Sequence, residues 1–492
     1  MRGTVAALGS AFLAACAAWG SGCAHVPAEA GFGDLQREVG ERVPYSVAWH
    51  RNPAEAEVAA QAVDALLAEP LTADAAARIA LLNDPALQAA YEELGVAQAD
   101  VVRAALLPNP TVAASVRFPD VEPRRPNWDL GVSQSLLDVL LLPARRALAE
   151  EQFEGVKLEV ADRALATAAG AKRAYYEVLG AAQVAASRAQ AAEAASLALE
   201  LARRTHGAGN LSDLELARER DRAAAVRVAW VRAEGELAGA REALNRRLGL
   251  WGRQTGWTLP AGFPELPGAE PPLDRLESEA VVSRLDLAAA RVAVGVRARA
   301  LGLTADWRWL GSLELGAGAE RETGGRWLVG PNASVELPLF HQRQPQLAAA
   351  EARLRQSRHQ LAALAVRVRS EVREARDRLL RLRDLAEHYR DVVLPLREEI
   401  VTLTQQEYNY MLASPFDLLA ARRSELEARE AYAESLAGYW GTRAELERAV
   451  GRELPLLAPA PAPREEEDLE EFFRDLEPSP PRAPHPHHGG RP

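Results

Sequence analysis

The chain has 492 residues and a formal net charge of -11, yet eight acids against two arginines between Arg464 and Glu477 supply more than half of that charge. The rest is nearly balanced, which argues against a nucleic-acid partner. The two cysteines, Cys16 and Cys23, both lie near the N-terminus and leave the body without an internal disulfide, and no HExxH, CxxC, GxxxxGK or GxSxG gives catalysis a foothold.

Residues 1–23 read as a signal of the lipoprotein type: Arg2, then a short apolar run from Thr4 to Ala15 that cannot span a bilayer. Leu13-Ala14-Ala15-Cys16 resembles a bacterial lipobox, and Gly20-Ser21-Gly22-Cys23 leads into Ala24-His25-Val26-Pro27, as exported lipoproteins commonly begin. Acylation is therefore expected at Cys16 or Cys23, an ordinary cleaved signal being the other reading. Residues 24–72, broken by Pro44, Pro53 and Pro70, read as an extended arm with one short helix.

From there the chain is written twice. Pro143, Ser212 and Gly249 recur as Pro345, Ser414 and Gly451, and Arg241, Leu244 and Arg246 as Arg443, Leu446 and Arg448, all at one offset; slightly closer spacing pairs Leu87, Gly95 and Val96 with Leu287, Gly295 and Val296. Such a long period marks a duplicated domain, with repeat 1 over 73–265 and repeat 2 over 266–455. Residues 456–492 are acidic and Pro-rich and read as a disordered tail. The histidines there, His485, His487 and His488, belong to that solvated tail, and no metal or cofactor site is expected.

Each repeat reads as helix, strand, loop, strand, very long helix, tight turn, helix. In the first, Ala73 to Leu107 is helical with a break near Pro85, and Pro108 and Pro110 end it. Val112, Ala114, Val116 and Phe118 then alternate with Thr111, Ala113, Ser115 and Arg117; after a Pro/Arg loop, Trp128, Leu130 and Val132 alternate with Asp129, Gly131 and Ser133. In the second, Trp307, Trp309, Leu313 and Leu315 oppose Arg308, Ser312 and Glu314, and Trp327, Val329, Ala333, Val335 and Leu337 oppose Arg326, Asn332, Ser334 and Glu336. Strands that are apolar on one face with tryptophan near their ends fit a transmembrane barrel; soluble hairpins on a core are the plainer alternative.

Pro143 to His206 contains no further proline, and Pro345 to Tyr408 has a single internal one, Pro395, expected to kink the helix. Each rod would be about 95 Å long. Leu347, Leu354, Leu361, Val368, Ala375 and Leu382 recur at heptad steps, the seam of helices that need partners. Capping boxes start the returning helices at Ser212/Glu215 and Ser414/Asp417. Two shorter helices, laid end to end, match one rod. This implies a wall of parallel rods, with a break between Leu250 and Pro272 where the short helices meet.

The order and spacing of several short motifs make the chain, from about Cys23 to Leu454, resemble the TolC-like outer-membrane efflux protein family. They are Leu81-Leu82-Asn83-Asp84-Pro85-Ala86-Leu87, Leu106-Leu107-Pro108-Asn109-Pro110, Asn210-Leu211-Ser212-Asp213-Leu214, Gly330-Pro331 through Phe340, and Tyr408-Asn409-Tyr410-Met411-Leu412 through Leu419. The resemblance implies a mainly α fold with a small β part: a tandem duplicated, long α-helical coiled-coil barrel and four transmembrane strands per protomer, making a 12-stranded barrel in a homotrimer. It implies a passive, non-enzymatic duct in the outer membrane of a Gram-negative bacterium, lipid-anchored, with its helices in the periplasm, that works with a periplasmic adaptor and an inner-membrane pump. A periplasmic coiled-coil adaptor or scaffold is the alternative, though it would leave the tryptophan-tipped strands unexplained.

By the same resemblance the adaptor docks at the two tips, through Gly207, Asn210, Ser212, Asp213 and Leu214 and through Tyr410, Met411, Ser414, Phe416, Asp417 and Leu418. Glu407, Asp213 and Asp417 are candidates for a ring of carboxylates closing the periplasmic end. Two departures stand out: Met411-Leu412 occupies a place where many relatives carry glycine, and His341-Gln342-Arg343 one where relatives tend to have an acid, glutamine and glycine.

Overall fold

The computed structural model describes residues 25–122, 125–267, 270 and 275–454. The expected signal, both cysteines and the acidic tail lie outside them. The arm holds two helices instead of the single one expected, α1 (Phe32–Gly40) and α2 (Pro53–Leu67). Asn52 caps α2 by accepting from Glu55 N, with Pro53 in its first turn. Between them Tyr45, Val47 and Trp49 are buried against the long helices.

The first half continues with α3 (Ala73–Asn83), α4 (Pro85–Ala105), β1 (Thr111–Arg117), β2 (Asn127–Ser135), α5 (Leu136–Gly207) and α6 (Asp213–Leu248). The second has α7 (Leu276–Ser283), α8 (Leu285–Asp306), β3 (Leu313–Arg321), β4 (Trp327–Val335), α9 (Gln344–His388), α10 (Leu394–Asn409) and α11 (Pro415–Val450). At 1.5 Å per residue the 72-residue α5 is about 108 Å long. It starts ahead of Pro143, because Ser135 caps it at Asp138 N directly out of β2 and the proline is absorbed within the helix. In the second rod a π turn over Tyr389–Val393 joins α9 to α10 just before Pro395. That wider turn accommodates the backbone bond that proline cannot make.

The strands form one antiparallel sheet in the order β1-β2-β3-β4. The third strand does not begin at Trp307 as expected. Helix α8 runs through Asp306, Trp307 caps it, and a turn closed by Leu310 N to Trp307 O follows. Two tryptophans one residue apart fit a turn as well as a strand, and the true strand continues through Gly316-Ala317-Gly318, where β propensity is low. Gly316 is required there, since a Cβ would collide with Val132 O and the Asn332 side chain.

The short helices meet the rods at matching joints in both halves. In the first, α6 ends at Gly249 in a left-handed conformation (φ 64°), and Asn83 Nδ2 donates to Leu248 O and Gly249 O, both at 2.9 Å. In the second, α11 ends at Gly451 (φ 87°) against Ser283 and Arg284, with Ser283 Oγ donating to Val450 O at 2.5 Å. Orphan carbonyls at a helix end thus find donors from the break between the two preceding helices. Trp257, in the connection after α6, is buried and donates through Nε1 to Asn245 Oδ1 at 2.8 Å. The heptad seam is real: Leu354, Leu361, Val368 and Ala375 are buried in one cluster with Tyr439 and Leu446 of α11.

Candidate functional site

Register settles which side chains share a face of the sheet. Val112, Val132 and Ala317 lie in one row with Pro331; Ala114, Leu130, Ala319 and Val329 in the next. With Val116, Leu313, Leu315, Ala333 and Val335 they make one face apolar on all four strands. The opposite face carries Thr111, Ala113, Ser115, Gly131, Ser133, Gly316, Gly318, Gly330 and Ser334, nearly all small, with the charges Arg117, Asp129, Glu314 and Glu320 among them. Arg117 Nη2 reaches Asp129 Oδ2 at 3.4 Å, and Asn127 Nδ2 donates to Glu320 Oε1 at 2.9 Å. The apolar face, including Val112, Leu130 and Val329, is exposed, and both β1 and β4 keep one edge unpaired. Among the described residues no helix is long and apolar enough to cross a membrane.

Toward the ends opposite the sheet, the rods run out of neighbours. Helix α10 has no buried residue and exposes Leu396, Ile400 and Leu403, which recur at helical spacing on one side. Helix α6 exposes Val228 and Val231. These stripes are apolar surface without a partner inside one protomer.

Both tips are built by capping boxes. Ser212 Oγ accepts from Glu215 N while Glu215 Oε2 accepts from Ser212 N, and Ser414 and Asp417 do the same. Their hydrogen bonds from serine hold the Glu215 and Asp417 carboxyls below the usual range. Gly207 ends α5, Asn210 lies in the turn, and Asp213 and Leu214 open α6; Tyr410 caps α10, and Phe416 and Leu418 lie in the first turn of α11. Asp213 is fully exposed and bonded to His206 Nε2 at 2.8 Å. Of the three carboxylates considered for a closing ring, Asp417 is thus occupied by its cap, whereas Glu407 is exposed and its backbone oxygen accepts from Leu412 N.

The tips differ at one equivalent position. Gly209 (φ 80°) makes the first turn, and Met411 (φ 61°) makes the second in the same left-handed conformation. Tyr410, Met411 and Leu412 are 78%, 93% and 79% exposed, an apolar prow absent from the first tip. Arg343, the second departure, is also left-handed (φ 57°); it precedes α9 and donates through Nη2 to Gly311 O at 3.0 Å.

Sequence reasoning missed the buried ionic cluster that ties the arm to the rods. Lys172 of α5 lies 3.0 Å from Glu453, 3.5 Å from Asp74 and 3.7 Å from Glu447, with the Tyr45 ring beneath it. Burial opposes its charge, but the surrounding carboxylates and Tyr45 hold the ammonium well above the usual lysine range. Its partners come from four separate segments, so no local spacing announces them. The adjoining cavity, about 30 Å³, is water-sized.

The profile of the family described as outer membrane efflux protein matches residues 276–452. No curated protein sequence matches the chain. Among solved structures, the chain is similar to the outer membrane protein VceC of Vibrio cholerae at 17% identity, covering 80% of this chain and 97% of that one with a TM-score of 0.63. It is similar to the Campylobacter jejuni CmeC outer membrane channel at 15% identity, covering 85% and 90% with a TM-score of 0.62. The open state of the Neisseria gonorrhoeae MtrE outer membrane channel aligns at 18% identity over 78% and 89%, with a TM-score of 0.59.

Proposed function

We infer that this chain, TolC-like in fold over its described length and matching the outer membrane efflux proteins in its second half, is a passive outer-membrane duct through which solutes leave the cell. The observation that carries this reading is the sheet: four strands with one common apolar face, a facing side of small residues and two open edges. In lipid an unpaired edge costs several kcal/mol for each unsatisfied backbone group, so the sheet must close with other copies. Three copies would bring twelve strands, and the small residues opposite the lipid would line a wide bore. The bare stripes on α6 and α10 then become contacts between protomers.

The tips support docking of a periplasmic adaptor, and through it coupling to an inner-membrane pump that chooses the cargo. Lipid anchoring fits the geometry of the arm. Gly31 packs against Phe153, some 17 residues down α5 and hence about 26 Å from the end of the sheet. The chain enters α1 through a turn closed by Phe32 N to Glu29 O, so the arm begins beside the sheet-proximal part of α5, the side from which an acyl anchor on Cys16 or Cys23 would reach the inner leaflet. Asp213, Glu407 and Asp417 are our candidates for the periplasmic constriction.

Membrane fractionation tests the reading. The mature chain should pellet with the outer membrane and run as a trimer that heat dissociates. A water-soluble monomer with no affinity for detergent micelles would overturn it.

A further inference from the structure

The apolar face of the sheet carries one cation. Register places Arg321, the last residue of β3, directly between Trp128 of β2 and Trp327 of β4, on the face shared by Leu130, Ala319 and Val329. Both tryptophans are exposed. The acids at this level, Asp129 and Glu320, belong to the opposite face, where Arg117 and Asn127 engage them. Among the described residues Arg321 has no ion pair and no side-chain hydrogen bond, unlike most arginines of the rods.

The row sits at the hairpin end of the strands, away from the rods. If the sheet is part of a barrel with its rods in the periplasm, this end meets the outer leaflet. The inference rests on that reading. A cation on the lipid side is costly at the bilayer midplane and nearly free at the interface. Flanking tryptophans prefer the headgroup level as well. A planar guanidinium held there, with its fork of donors unspent, matches a phosphate oxygen pair better than any other group the interface offers.

We propose that Arg321, in register between Trp128 and Trp327, is a binding site for the phosphate of an outer-leaflet lipid headgroup. The pleat turns Asp129 and Glu320 to the other face, which leaves the lipid as the counter-charge. In a trimer there would be one such site for each copy of β3.

The test compares the purified full-length protein in phosphatidylcholine vesicles doped with diphosphoryl lipid A or with the same lipid A stripped of its phosphates. The readout is the lipid A that stays on the trimer after extraction. Wild type should retain the phosphorylated form preferentially. Arg321→Gln should insert and assemble normally but lose about tenfold in that preference, the factor carried by one charge-assisted hydrogen bond. Arg321→Lys should retain part of it, and Arg117→Gln, on the other face at the same height, all of it. Insertion of the wild type with no phosphate preference, or an undiminished preference in Arg321→Gln, would overturn the site while leaving the duct intact. Failure of the wild type to insert would overturn the duct, and the site with it.

Discussion

Among the described residues three side chains occupy backbone conformations that favour glycine, Ala30, Arg343 and Met411, and the last two fall at the departures expected from the family resemblance. A non-glycine residue held left-handed costs of order 1–3 kcal/mol and persists where the surroundings, or a function, demand it. Arg343 has a local return in its bond to Gly311 O. Met411 has none; its side chain is 93% exposed. Met411→Gly should therefore leave thermal stability within about 1 kcal/mol of the parent, relief of strain offsetting the entropy of glycine. Capture of the cognate adaptor should weaken about tenfold, and equal capture by both proteins would refute a docking role for that side chain. Lys172→Met tests the buried cluster: it removes the cation nearest Glu453, and should cost about 3–5 kcal/mol in thermal unfolding. Acid dependence has a definite sign. Burial raises the carboxyls of Asp162, Glu430 and Glu447, so in the folded state they hold protons at pH values where the unfolded chain has released them. Their contribution falls as pH rises through the window above their ordinary values. In circular dichroism melts Glu430→Gln should therefore lose less stability than the parent as pH rises above the ordinary carboxyl range.

Helix boundaries were legible at the tips and at the glycine closures, though the equally local cap of Ser135 at the start of α5 was missed. Ser212/Glu215 and Ser414/Asp417 announce the starts of α6 and α11, and Gly249 and Gly451 their ends, because caps and left-handed closures depend on residues within a turn. Ser414→Ala should accordingly cost about 1 kcal/mol. Gly249→Ala should cost more, since it adds a collision with Asn83 O to an unfavourable φ; differential scanning calorimetry of both variants checks the ranking. What failed to show was long-range. The third strand hides in Gly316-Ala317-Gly318, residues chosen for close approach to β2 and β4, while Trp307 and Trp309 imitate alternation inside a turn. That the arm holds two helices and not one was hidden for a related reason: α1, for example, buries Leu35 and Val39 against α5, more than a hundred residues away, and its nine residues hold little pattern of their own.

At the scale of the molecule, the doubled order of helices and strands could be read directly, and its incompleteness followed from a sheet with open edges and rods with bare flanks. The tips were located from sequence through the caps that build them; their docking role comes from resemblance and awaits the experiments above. The joints at Asn83 and Ser283 add a geometric constraint. Each rod is flanked by two shorter helices that meet at a fixed point, α4 and α6 beside α5, and α8 and α11 beside the second rod. Removing seven residues from α5 alone would pull one tip out of level with the other and tear the joint. The same excision made also in α6 should spare the joint but leave that tip out of level until α10 and α11 are cut to match. In the proposed duct the wall would be a measuring stick cut in matched pieces, its reach into the periplasm retuned over evolutionary time only by trimming all of its staves together.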